Sequence, residues 1–215
     1  KKKLRKKVEQ SIYNIFDSEI KKVTGLSKEE KQKMSNDLSE MTHGNKIRNF
    51  FTWKLYFADI FREKGGFDIM IANPPYVKEP VERSAFNGLR NSSYYQGKMD
   101  LWYIFACLGI DFLKVNGTLI FIATNNWVTN FGASKMRNKV VKDTKILKLI
   151  DFNNYRIFDT AAIQTMIMMF QKNEKSNDYT FDYRKLNQYA VKFSDVIDIL
   201  NKKDTGENEI FSPAV

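Results

Sequence analysis

The stretch Gly66-Phe67-Asp68-Ile69-Met70-Ile71-Ala72-Asn73-Pro74-Pro75-Tyr76 decides the reading of this chain. Residues 67–72 form an apolar run of strand length. Gly65-Gly66 bounds it on one side and a proline pair on the other, so it reads as a buried strand. Each proline fixes φ near about −65° and removes a backbone donor, so strand pairing must stop there. Ligands of open α/β sheets bind outside the carboxyl ends of strands, which makes Asn73-Pro74-Pro75-Tyr76 the candidate site.

Upstream of this stretch, residues 1 to about 22 carry Leu4, Val8, Ile12, Ile15 and Phe16 at helical spacing behind a run of lysines. Ser27 and Glu30 form a capping box for a second helix to about Met41, with Met34, Leu38 and Met41 inward. The composition shifts near Lys46. Leu55 to Ala58 reads as a short strand ended by Asp59. Downstream, 77 to about 97 reads as a long loop, a length that points to function or disorder. Asp100 to Lys114 reads as a helix with Leu101, Ile104, Phe105, Leu108 and Phe112 on one face. Asn116-Gly117 is a turn and Thr118 to Ala123 a strand ended by Asn125-Asn126-Trp127. A basic helix over 132–142 and strands over 146–151 and 162–170 follow. Strands alternating with helices predict a largely parallel sheet. Beyond Gln171, residues 172–178 read as a linker, 179–184 as a strand, and Ser194 as the cap of a short helix to Leu200.

The 215 residues carry 35 Lys and Arg against 25 acidic residues, a net charge of +10, which favours a polyanionic partner. The one cysteine, Cys107, sits in an apolar stretch and reads as a small buried hydrophobe, in keeping with a reducing compartment. With a single histidine, His43, no cluster has metal-ligand spacing. The longest apolar run, 101–113, contains Asp111 and is too short for a bilayer. These features predict a soluble cytoplasmic protein without a metal site.

The residues at the strand end suit one chemistry. An exocyclic amino group on a flat ring is a poor nucleophile because its lone pair is delocalised. The Asn73 side-chain oxygen and the Pro74 carbonyl can accept its two hydrogens and stabilise the positive charge that grows on nitrogen during alkylation. Tyr76 can stack on the base, worth about 1–3 kcal/mol. No strong general base is needed; in-line positioning about 3–3.5 Å apart does most of the work. A base within duplex DNA must first be flipped out, at a cost of a few kcal/mol. The structural alternative is a turn that merely ends a strand.

On these residues the chain resembles the amino-group DNA methyltransferases, specifically adenine-N6 enzymes of the gamma arrangement found in restriction–modification systems, some fused to nucleases. The resemblance covers residues 48 to 172, with Gly66 to Val77 as its most specific part. It implies an α/β fold: a partial Rossmann-like sheet that uses S-adenosylmethionine, preceded by a helical arm (1–45), with the catalytic half at 46–172 and a linker and the start of a target-recognition domain at 173–215. It implies that Asn73, Pro74 and Pro75 grip the amino group and that Tyr76 stacks on the flipped adenine. Phe158, in Ile157-Phe158-Asp159, stacks on the other face. Asp59 and Ile60, with Asn73, lie against the cofactor. Asp100 to Tyr103 and Asn116 to Trp127 match the next two motifs. Lys78, Arg83, Lys98, Lys135 and Arg137 flank the site as candidate phosphate contacts, with double-stranded DNA as partner and a restriction nuclease, fused or separate, as an associate.

The chain departs from the family pattern in one respect. No Gly-x-Gly follows a first strand, before or after Asn73, and no acidic ribose ligand stands on a second strand. The chain therefore looks like the middle of a longer protein, and no methyl transfer is expected from it alone. A release-factor glutamine methyltransferase or an RNA methyltransferase with the same tetrad, or an idle nucleic-acid-binding module, are the alternative readings.

Overall fold

A computed structural model describes residues 2–22, 27–42, 53–158, 163–173, 178–187 and 191–215. The chain divides into two compact units, Lys1–Tyr56 and Phe57–Val215. The expected boundary at 45/46 lies outside the described residues.

In the first unit, helices α1 (Lys2–Lys22) and α2 (Lys28–Thr42) pack on each other, with Ile12 buried. The capping box forms as expected: the Ser27 amide donates to Glu30 Oε2 at 2.8 Å and the Glu30 amide to Ser27 Oγ at 3.2 Å. Met34, expected inward, is exposed. The side chains of Leu38 and Met41 lie outside the described residues. The strand expected at 55–58 is absent. The segment is helical instead, as α3 (Trp53–Tyr56) and, in the second unit, α4 (Ala58–Lys64). Four apolar residues cannot distinguish the two periods, and Arg62 donates to Asp59 at 2.8 Å across one helical turn, a pairing that an extended strand does not allow.

The second unit is built on a six-stranded sheet: β1 (Phe67–Ala72), β2 (Leu113–Thr124), β3 (Thr144–Asp151), β4 (Thr165–Lys172), β5 (Asp182–Leu186) and β6 (Asn208–Phe211), in the order β1-β2-β4-β3-β5-β6. The expectation of a largely parallel sheet needs correction. β1 with β2 and β3 with β5 are parallel, but β4 runs antiparallel to both its neighbours and β6 antiparallel to β5. The connection from β3 to β4 carries no described helix, so β4 returns beside β3 as a long hairpin rather than by a crossover. β1, β2, β3 and β5 therefore point the same way, and their carboxyl ends share one edge. β5 and β6, expected to open a further domain, extend this same sheet.

Besides α4 at β1, the sheet is flanked by α5 (Leu101–Phe112), α6 (Ser134–Asp143) and α7 (Phe193–Leu200). α5 and α6 cover one face, where Trp102, Tyr103, Cys107 and Ile110 meet Leu119, Phe121, Met168 and Phe170. The buried side of α5 differs from the expected one. Phe105 and Leu108 are exposed, while Trp102, Tyr103 and Ala106 are sealed. α7 closes a smaller cluster with Ile150, Phe152 and Leu186. Leu149 and Ile150 enter different clusters because successive strand residues face opposite sides. α7 starts after Lys192, whose amide donates to Asp195 Oδ2 at 2.7 Å, so Ser194 is inside the helix rather than its cap. β1 is an edge strand, and it is not buried as expected: Ile69 and Ile71 are 64% and 76% exposed. Among the described residues, no helix is long and apolar enough to cross a membrane, and no cluster of acidic, His or Cys side chains could hold a metal.

Candidate active site at the carboxyl end of β1

Gly66 sets where β1 begins. Its φ is +151°, and a Cβ there would lie 2.5 Å from the Phe112 carbonyl oxygen, so only glycine lets the two segments approach. β1 then runs beside β2, with a register irregularity near Asn116. At its far end Asn73 and Pro75 are exposed, Pro74 is buried and Tyr76 half-buried. Met70, Ala72, Tyr76 and Val77 pack on the main core, so the site is braced by the face under α5.

Tyr76 gives the site its geometry. Its hydroxyl lies 2.8 Å from the Ile122 carbonyl oxygen on β2 and within hydrogen-bond reach of Asn73 Oδ1. With one proton it donates to one of these oxygens at a time. Burial pushes the phenol up to about 12, so it stays a neutral donor. Sequence reasoning assigned Tyr76 to stacking and missed this bond, which ties the turn to the neighbouring strand.

The loop from 77 to 97 is ordered by its own contacts. The Glu79 amide donates to the Met99 carbonyl at 2.9 Å and the Leu101 amide to that of Val77 at 2.8 Å. Phe86 is fully buried. Glu79 is also buried; its carboxylate accepts from the Tyr95 hydroxyl and from Arg90 at 2.7 Å, and these hold its pKa below the usual glutamate value. Arg83 and Lys98 line a depression of about 400 Å³ with these residues. Thus Lys78, Arg83 and Lys98 lie exposed on one loop directly after the site. Lys135 stands in the first turn of α6, behind a turn whose Gly132 comes so close that a Cβ would lie 2.3 Å from the Lys98 carbonyl oxygen. Arg137 differs from the other candidates. Its Nη1 donates to the carbonyls of Trp127 (2.5 Å) and Asn130 (2.6 Å), so it holds that turn.

The carboxyl end of β2 is a polar network. Trp102 Nε1 donates to Thr124 Oγ1 at 3.0 Å, the Thr124 hydroxyl to Asn126 Oδ1 at 2.8 Å, and the Tyr103 hydroxyl to the same oxygen at 3.3 Å. Asp100, just ahead of α5, is buried with neither carboxyl oxygen hydrogen-bonded; burial raises its pKa and the charge of Lys78 opposes this. At the end of β3, Asp151 Oδ1 accepts from Asn125 Nδ2 at 3.0 Å and from the Asn153 amide at 2.9 Å. It thereby joins the turn after β2 to the segment that leads to the half-buried Phe158. The acid was missed as a site residue, although its place at a strand end before Asn153-Asn154 was a signal. Residues 159–162, which complete the expected loop and open the expected strand 162–170, lie outside the described residues.

Asp59 and Ile60 occupy the first turn of α4. The Asp59 side chain is 80% exposed and, among the described residues, paired with Arg62, and Ile60 is half-buried. With Asn73 they could flank a cofactor on one side. A glycine-rich cradle for its other side is absent from this sequence.

Comparison with known proteins follows the same line. The profile of the family described as Eco57I restriction-modification methylase matches residues 3–158. The chain is 23% identical over 150 residues to the type II methyltransferase M.BanIII of Aneurinibacillus aneurinilyticus, a match covering 65% of this chain and 26% of that protein. The chain thus spans about a quarter of that relative's length. Among solved structures, the methyltransferase subunit of a type I restriction-modification system from Streptococcus thermophilus aligns over 81% of this chain and 41% of its own, with a TM-score of 0.50 and 20% identity. The DrdV–DNA complex, solved by cryo-electron microscopy, aligns over 85% of this chain and 23% of its own, with a TM-score of 0.52 and 13% identity. The sheet is thus that of a methyltransferase fold, and the chain belongs to the Eco57I restriction-modification methylase family.

Proposed function

We propose that this chain carries the target-base side of a DNA adenine-N6 methyltransferase acting within a restriction–modification protein. The carrying observation is the exposed Asn73 at the carboxyl end of an edge strand, fixed there by a buried Pro74 and a tethered Tyr76. Asn73 Oδ1 and the Pro74 carbonyl accept the two N6 hydrogens of an adenine turned out of the duplex. They draw the nitrogen lone pair out of the ring plane and meet the charge that develops on it. Tyr76, held by its hydroxyl, serves as a stacking platform, and Phe158 as the opposite wall. For the base to bind, the Tyr76 hydroxyl gives up Asn73 Oδ1 and keeps the Ile122 carbonyl.

S-adenosylmethionine, when bound, supplies an electrophilic methyl group; Asp59 would accept from its adenine amino group and Ile60 would pack on its ring. The rest of the chemistry belongs to the chain. It orients the amino nitrogen for in-line attack and holds its hydrogens, and the alkylated, acidified N6 gives its proton to solvent water. Lys78, Arg83, Lys98 and Lys135 position the phosphates of double-stranded DNA without reading sequence.

The test is to express the open reading frame that encodes this chain, incubate it with labelled S-adenosylmethionine and duplex DNA, and digest the product to nucleosides. The label is expected in N6-methyladenine. Asn73→Ala is expected to cut turnover by about 100- to 1,000-fold and to leave DNA binding intact. Label appearing in RNA or in a release factor in place of DNA would overturn the reading.

A further inference from the structure

A second cavity, of about 620 Å³, opens beside the carboxyl ends of β2 and β3. Neither Asn73, Tyr76 nor Phe158 lines it. Its size falls in the range of small-molecule sites, roughly 300–1,000 Å³. The floor is apolar and partly aromatic, with Leu149, Met166, Phe181 and Tyr183. The rim is polar, with Asn125, Asn126, Asp151 and Gln164.

The rim atoms are unequally used. Asp151 Oδ1 is engaged by Asn125 and Asn153. Asp151 Oδ2 forms no hydrogen bond or ion pair with a described residue and is not sealed from solvent. Gln164 spends its amide nitrogen on Asn154, and Asn125 spends its own on Asp151, which leaves both side-chain oxygens open as acceptors. The Asn126 oxygen accepts from Thr124 and Tyr103, which leaves its amide nitrogen as a donor. The polar lining therefore offers three free acceptor oxygens, one of them anionic, with the Asn126 amide among its donors, beside apolar and aromatic side chains fit for a flat ring. Among the described residues of the lining, Asp151 alone is charged. An anion such as phosphate is disfavoured there, and a neutral ring with amino hydrogens is favoured.

We propose that this cavity binds a single nucleobase bearing an exocyclic amino group, at a site separate from Asn73. Asp151 Oδ2 accepts from the amino group, as a carboxylate does from the N4 of cytosine. The Asn126 amide donates to a ring nitrogen or carbonyl, and the ring lies on Phe181 and Tyr183. Stacking on the aromatic floor tolerates any base, so discrimination falls to the acceptors. Thymine, which has no amino group, is disfavoured because its one donor on that edge, N3–H, is flanked by two carbonyls that would meet the other acceptors of the lining.

The test is a ¹H–¹⁵N NMR titration of the 215-residue chain with deoxycytidine, deoxyadenosine, deoxyguanosine and thymidine up to about 10 mM, a range suited to fragment-sized ligands. The three amino-bearing nucleosides are expected to shift the signals of Asn125, Asp151 and Gln164, and thymidine is not. Asp151→Asn keeps an oxygen for Asn125 and Asn153 but turns the free acceptor into a donor. It should weaken deoxycytidine at least tenfold and bring thymidine in. Should that variant fail to fold, Val128→Trp, at an exposed turn residue of the lining, is expected to block every nucleoside while preserving the spectrum. Asn73→Ala should leave the shifts in place, so the outcome does not depend on the role proposed for Asn73. Shifts confined to residues 73–76, equal response to all four nucleosides, no shift at all, or indifference to the substituted residue would each overturn the proposal.

Discussion

On the face of the sheet under α5 and α6, Leu119, Phe121, Ala123, Met166, Met168 and Phe170 are at most 3% exposed. On the other face of β1, Ile69 and Ile71 are 64% and 76% exposed. Both faces belong to strands of similar composition, yet at β1 only one is covered, since α7 covers the second face at β3 and β5. The candidate site hangs from the end of the less protected strand and is positioned wholly from the covered side: Met70 and Ala72 on the core, the Tyr76 hydroxyl on Ile122, and the 77–101 loop on α5. The stability of the site is thus borrowed from α5 and β2. An exposed apolar edge strand is also a liability that proteins cover.

The sharpest way to break this comparison is at α5. Trp102 is fully buried, stands edge-on to Tyr103, and donates to Thr124. Trp102→Ala should cost about 3–5 kcal/mol, read in thermal or urea unfolding; a loss below about 1 kcal/mol would mean that α5 does not hold the sheet. The next effect in size concerns the loop. Glu79→Gln removes a buried carboxylate's charged hydrogen bonds, worth roughly 1.5 kcal/mol once the exposure of Arg90 is discounted. Because the folded pKa of Glu79 is depressed, its contribution is present above the ordinary value of 4.5 and is lost as pH falls through the lower folded value. The melting temperature of the parent should therefore drop towards that of the variant in acid, and parallel pH curves would refute the assignment. Tyr76→Phe should cost about 0.5–1.5 kcal/mol and loosen amide-exchange protection around residues 73–77; unchanged protection would mean that the Ile122 tether holds nothing. The smallest effect belongs to the open face: Ile71→Ser should change the stability of this chain by less than about 0.5 kcal/mol. A larger loss in equilibrium unfolding would show that this face is covered in solution.

Much of the site was legible before any coordinates. An apolar hexad ended by Asn-Pro-Pro-Tyr can hardly be other than a strand end, because proline forbids pairing beyond it. The Ser27–Glu30 cap, α6 and β3 were equally local and fell where expected. The errors share a cause. Residues 55–58 were too short an apolar stretch to separate helix from strand. The antiparallel entry of β4 and the joining of β5 and β6 to the sheet depend on which strand lies beside which, and periodicity is silent on neighbours. The expected buried β1 had the right composition, but burial depends on what lies against it.

Sequence alone determined that two acceptors and a ring stand at a strand end, at Asn73 to Tyr76, since residue type and rigidity suffice for that. It also determined the basic character of the chain. Tertiary structure alone decided that Tyr76 is tethered to Ile122, that Arg137 Nη1 serves two backbone carbonyls, and that Asp151 draws Asn125 and Asn153 together at the mouth of a second cavity. These are contacts between residues 26 to 46 positions apart in the first and last cases, Tyr76 to Ile122 and Asn125 to Asp151. They arise from strand order and register, which no local pattern encodes.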